Sequence, residues 1–249
     1  MQNLSPSRAF VRRAYQLTQL GLAVAAVGIF ALVLAALGFV IPPFPPTHPA
    51  FSLFHLARVA GLLIGLGILL VGLLLVVRAW TRRRDNDLAL MTGNYLAQQL
   101  DGSFTFIRSI NRLGLGYIDA VLVGPPGALV FRIVDNEGNL ANEASNWMKQ
   151  SESGEWVPLG FSPTREAVID IQHLRRYLAR HKLGEVPVFG VVVFVKDESA
   201  VRLALKEPVV PVAHLSVLVD NLQDHYLAQR DRIPAAQVAA VRRLLLDEA

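Results

Sequence analysis

The residues with the clearest chemical potential lie between Tyr117 and Glu137. Asp119 sits in the run Tyr117-Ile118-Asp119-Ala120-Val121-Leu122-Val123, and Asp135 and Glu137 follow the run Ala128 to Val134. Pro125-Pro126-Gly127 separates the two runs, so they read as strands around a turn. Carboxylates at adjacent strand ends can hold Mg²⁺ against a phosphodiester oxygen, and a Lys on the same strand face can orient water or neutralise developing charge. Asp119, Asp135 and Glu137 are the carboxylates this stretch offers for such a site. The second strand, however, carries Arg132 and Val134. A cation at that position repels a divalent metal, and an internal Arg132–Asp119 ion pair is the competing expectation.

Other chemistries find little support. The chain has no cysteine, which removes disulfides, thiol catalysis and cysteine-based zinc sites. Its histidines (His48, His55, His173, His181, His214 and His225) show no metal-ligand spacing; His173 and His181 lie two turns apart on one expected helix. There is no Gly-x-Ser-x-Gly elbow, no Gly-x-x-x-x-Gly-Lys phosphate loop and no Gly-x-Gly-x-x-Gly after a strand.

The elements that must position Asp119 follow from hydrophobic spacing. A helix is expected from about Asp87 to Leu100 and strands at Thr105–Arg112, Tyr117–Val123 and Ala128–Val134. A polar insert follows, with Trp147 and Trp156 bracketing Ser151-Glu152-Ser153-Gly154. Ser162 or Thr164 caps a helix running to about His181. Arg175, Arg176, Arg180 and Lys182 gather at its C-terminal end, where the dipole favours cations; phosphate binding is the alternative use. Val186–Lys196 reads as a buried central strand and Val209–Val212 as a short one, with helices at Ser216–Tyr226 and Pro234–Asp247 closing the chain. This order describes an α/β three-layer core with a mixed sheet.

The N-terminal third is different. Leu17–Ile41 and Val59–Val77 hold no charged residue, and each is long enough to cross a bilayer as a helix. Arg8, Arg12 and Arg13 precede the first run, Arg78, Arg82, Arg83 and Arg84 follow the second, and Pro42–His55 has no Lys or Arg. The positive flanks place both termini in the cytoplasm, with Arg58 free to snorkel toward headgroups. The expected divisions are an N-terminal segment (1–16), two spans (17–41 and 59–77), an external Pro-rich loop (42–58), a basic linker with a polar hinge (78–87) and a cytoplasmic domain (88–249). Gly61 and Gly65 form a small-residue face that either closes the hairpin against Gly21, Ala25 or Gly28 or drives homo-oligomerisation. Residues 1–87 hold eight Arg and two Asp, whereas 88–249 hold sixteen Lys plus Arg and eighteen Asp plus Glu. The net +4 is therefore a flank effect, and the domain lacks the basic excess of a DNA-binding surface.

Residues 93 to about 222 resemble the nuclease-related domain (NERD) family, a branch of the PD-(D/E)xK nuclease-like superfamily common in bacteria. The resemblance is carried by Ile118-Asp119-Ala120-Val121-Leu122-Val123-Gly124-Pro125-x-Gly127, then Gly138, Trp147, Gly154, Ser162-Pro163 before a helix, and the strand Val188–Val195. It implies a restriction-endonuclease-like mixed sheet flanked by helices, here preceded by a transmembrane hairpin. It also implies that Asp119 matches the metal-binding Asp, while Arg132 and Val134 occupy the Glu and Lys positions. Gly93-Asn94 replaces the helix Gly-Glu, Ser162 the Asn of Asn-Pro, and Glu166 the following Gln. The expected function is a membrane-anchored, catalytically inactive binding or scaffold module in a bacterial plasma membrane, with no cofactor and an unknown protein partner. The alternatives are an Mg²⁺-dependent nuclease using Asp119 with Asp135 or Glu137, or a non-cleaving DNA tether.

Overall fold

The computed structural model describes residues 1–5, 8–41, 43–228 and 232–246, with side chains described outside 8–16, 79–86 and 224–225. Asp247 and the side chains of Arg8, Arg12, Arg13, Arg82, Arg83, Arg84 and His225 therefore lie outside the described residues. The chain divides into two compact units, residues 8–84 and residues 1–7 with 85–249.

The first unit is a helical hairpin. Helix α1 spans Arg8–Val40 and α2 spans Phe51–Ala97. α2 begins earlier than expected, so residues 51–58 are helical, and the backbone of the expected hinge and linker is helical as well. Glycine allows the two helices to touch at backbone level: a Cβ on Gly28 would fall 2.5 Å from the Leu69 nitrogen, and one on Gly72 would fall 2.5 Å from the Ala25 nitrogen. Gly61 faces Ala35 and Gly65 faces Leu32, so the small-residue face is occupied in closing the hairpin. The Arg58 head turns into the hairpin. It is buried, its Nη1 donates to the Gly38 carbonyl at 2.8 Å, its Nη2 lies 3.1 Å from His55 Nδ1, and Phe39, Phe51 and Phe54 surround its guanidinium.

The second unit is the α/β domain. Its main sheet has six strands in the order β1-β2-β3-β4-β8-β10: Gln2–Leu4, Thr105–Arg112, Gly116–Gly124, Gly127–Val134, Val188–Phe194 and Val212–His214. β2, β3 and β4 are antiparallel neighbours, whereas β1, β8 and β10 join in parallel, so the sheet is mixed. One face is covered by the C-terminal part of α2 (Ala89, Leu96) and by α4 (Leu218–Leu222), and the other by α3 (Pro163–Arg180) and α5 (Ala235–Leu246). This is the three-layer arrangement expected from the element order.

Two features are absent from the sequence reading. Residues 2–4 form the edge strand β1, whose Asn3 donates to Asn94 Oδ1 at 2.9 Å and accepts from Arg108 at 3.0 Å. The polar insert is structured: β5 (Gly138–Glu143), β6 (Asn146–Gln150) and β7 (Trp156–Pro158) join β9 (Val201–Lys206) in a second sheet ordered β7-β6-β5-β9. The strand expected at 209–212 lies slightly later, as β10.

Candidate functional site around Asp119

Asp119 is placed where the regular ladder gives way. β2 and β3 pair on both sides of Ser109 and Asp119 but not at that step, and Ser109 adopts a left-handed backbone with φ of 52°. Such a conformation in a buried, non-glycine strand residue is costly and must be held by its surroundings. On the other side, pairing of β3 with β4 ends at Ala120 and Phe131. The Asp119 side chain replaces the next ladder bond, since the Ile133 N–H donates to its Oδ2 at 2.9 Å. Oδ1 is thereby turned toward Arg132, whose Nη1 lies 3.5 Å away.

Arg132 bridges further than sequence reasoning foresaw. Its Nη2 forms an ion pair with Glu166, in the first turn of α3. One turn on, at the i+4 position, the buried Asp170 faces the same group. Burial pushes the Asp170 carboxyl up to about 7; the Arg132 charge opposes that rise, and the Asp119 and Glu166 charges add to it. Two carboxylates from two elements thus pair with one guanidinium from a third, and the Asp170 carboxyl feels the charges of all three from farther away. The sequence signal for Asp170 was its helical spacing from Glu166, which becomes informative only once α3 is seated over β3 and β4.

The start of α3 is fixed by the insert. Ser162 Oγ accepts from the Arg165 N–H at 3.2 Å and donates to the Ser145 carbonyl at 2.8 Å. Trp147 Nε1 donates to Thr164 Oγ1 at 2.9 Å. The second sheet therefore clamps the helix turn that presents Glu166. Residues 86–195 match the family model described as the nuclease-related domain. This segment is a nuclease-related domain. No curated protein and no solved structure matches the chain.

Within the nuclease-related domain, the positions singled out from the sequence take distinct roles. Asp119 and Arg132 come together as the expected ion pair. Val134, at the Lys position implied by the resemblance, is buried with Leu140, Trp147 and Phe194. Asn94, at the helix carboxylate position, is engaged by Asn3 of β1. Asp135 is half-buried just past β4, and the exposed Glu137 pairs with Lys196 at 2.7 Å. The Lys196 hydrogen bond and charge hold the Glu137 carboxyl below its usual range. Among the described residues no three His, Cys, Asp or Glu side chains are grouped so as to hold a metal ion. The donor set around Asp119 does not fit a divalent cation as it stands, because Arg132 occupies the space its carboxylates would share. At the end of α3, Arg175 donates to the Val188 carbonyl and Arg176 to the Gln172 carbonyl, so these two cations serve backbone oxygens.

Proposed function

We propose that this protein is a membrane-anchored nuclease-related domain that binds a partner instead of cleaving nucleic acid. The observation that carries the reading is Arg132 held between Asp119 and Glu166, with Asp170 behind them. A guanidinium supplies the positive charge that the carboxylates need without the Lewis acidity that phosphodiester hydrolysis needs.

The anchor is the helical hairpin. Leu17–Val40 and Phe51–Arg78 have mean hydropathy of 2.7 and 2.9, yet only 17% and 11% of their most apolar windows are buried. Core helices of a water-soluble domain would hide such side chains, so these faces call for lipid. β1 precedes the hairpin and pairs with β2, which follows it, inside one compact unit. That pairing supports a reading in which both ends of the hairpin lie on one side of the membrane, and the arginine flanks favour the cytoplasmic side of a bacterial plasma membrane.

The test uses the full chain in detergent micelles, incubated with plasmid DNA and Mg²⁺ or Mn²⁺. Intact plasmid is the expected result. Cleavage that disappears in Asp119→Ala would overturn the non-catalytic reading, and salt-sensitive DNA retention without cleavage would make DNA the partner.

A further inference from the structure

The main sheet has an interrupted ladder. β8 pairs with β10 only over Val192–Phe194. Alternate residues of a strand address opposite neighbours, and here the parity is explicit. Pro187 O accepts from the Ala128 N–H at 2.9 Å, which turns odd-numbered residues toward β4, while the Val192 N–H donates to Pro211 O at 2.9 Å, which turns even-numbered residues toward β10. Val188 and Gly190 thus direct main-chain groups to where the β10 ladder would continue. Arg175 Nη2 already occupies the Val188 carbonyl at 2.8 Å. The next ladder donor for the Gly190 carbonyl would be the N–H of residue 211, and Pro211 has none. Gly190 is buried, and among the described residues nothing pairs with its N–H or C=O on this side.

These two groups face a groove of about 630 Å³. Ile171 of α3 walls it on one side of the sheet and Leu218 and Leu222 of α4 on the other; Val209 and Pro211 lie across from β8, and Arg175 stands at the rim. The helix bordering the groove passes into a π turn over Gln223–Leu227, a geometry concentrated at functional sites. We propose that the groove binds a planar heterocycle of nucleobase type, whose adjacent acceptor and donor pair with the N–H and C=O of Gly190. With the Val188 carbonyl already taken by Arg175, an added peptide strand would find only the Val188 N–H and the Gly190 pair there, three bonds at most. A flat ring satisfies both groups at once and lays its faces against the apolar walls above and below the sheet plane. Arg175 suits an anionic substituent on the ring. The groove uses none of the side chains around Arg132.

Gly190 cannot be substituted informatively, since a Cβ there would lie 2.4 Å from Ile171 Cδ1. The full chain, ¹⁵N-glycine labelled and held in detergent micelles, is titrated instead with adenosine, uridine, adenosine 5′-monophosphate and N6,N6-dimethyladenosine. Saturable shifts of the Gly190 amide are expected with the first three, and none with the dimethylated base, which lacks the donor. Pro211→Ala supplies an N–H that competes for the Gly190 carbonyl, and it should weaken adenosine binding roughly fivefold, the worth of one net hydrogen bond. Absence of shifts with adenosine and uridine, an equal response to the dimethylated base, or unchanged affinity in Pro211→Ala would overturn the proposal.

Discussion

Two arginines, one in each unit, solve the problem of a sheltered cation in opposite ways. Arg132 is surrounded by carboxylates from β3 and α3, whereas Arg58 is surrounded by a carbonyl, an imidazole and three aromatic rings. Carboxylates are strong partners but must themselves be sheltered, which the α/β domain does by seating α3 on the sheet. The hairpin has no acidic residue from Leu17 to Val77, so its arginine is met by dipoles and ring faces. The lesson is that Arg132 and its paired carboxylates Asp119 and Glu166 depend on one another, while the Arg58 cage is built from a carbonyl and ring contacts.

That contrast ranks the consequences of mutation. Arg132→Ala leaves the Asp119 and Glu166 carboxylates without their cation and should cost the domain about 3 kcal/mol, the low end for breaking a sheltered pair, because the Arg132 side chain is 27% exposed. Denaturant unfolding would measure it, and Arg132→Ala with Asp119→Asn should recover part of the loss. A wild-type stability for the single variant would show that the cluster is not interdependent. Arg58→Met keeps the bulk but loses a charge-assisted bond to Gly38 and the ring contacts, at about 2 kcal/mol. Spin-label distances between the last turn of α1 and the first turn of α2 should broaden, and Arg58→Lys should restore part of the order.

Asp170→Asn should act in the opposite direction. The folded-state value near 7 lies above the ordinary 3.8, so the folded domain takes up a proton between those two values that the unfolded chain does not. Wild-type stability therefore rises as pH falls from 7 toward 4, and the buried charge is a cost above 7. The Asn variant should be more stable at pH 8, on the order of 1–2 kcal/mol, with the gain vanishing near pH 4. Thermal unfolding across that range checks the sign, and a gain that persists at pH 4 would point to packing instead of charge. The smallest effect belongs to Asn3→Ala, which removes links to Asn94 and Arg108 at the sheet edge and should cost about 1 kcal/mol by the same assay.

The sequence made the centre of the fold legible and its periphery much less so. β2, β3, β4 and β8 are runs of β-branched and aromatic residues whose burial is written into their composition. The Ser162 cap was equally readable. β5, with Gly-Asn-Leu-Ala-Asn-Glu, has little intrinsic strand preference and exists because β6 and β9 pair with it. β1 is three residues long, too short for any periodic signal. At the site, the Asp119–Arg132 pair was legible because strand neighbours can be counted. Asp170 was not, because its meaning depends on a helix crossing a sheet some fifty residues away in sequence.

β1 also sets a schedule. Residues 2–4 leave the ribosome about a hundred residues ahead of their partners, residues 105–107, roughly 5–20 s at ordinary rates of synthesis. Throughout that interval the strand has no edge to join, and the whole hairpin is made before it does. Pairing of β1 with β2 therefore captures a segment made before the hairpin, and a shortened version starting at residue 85 would leave the β2 edge bare.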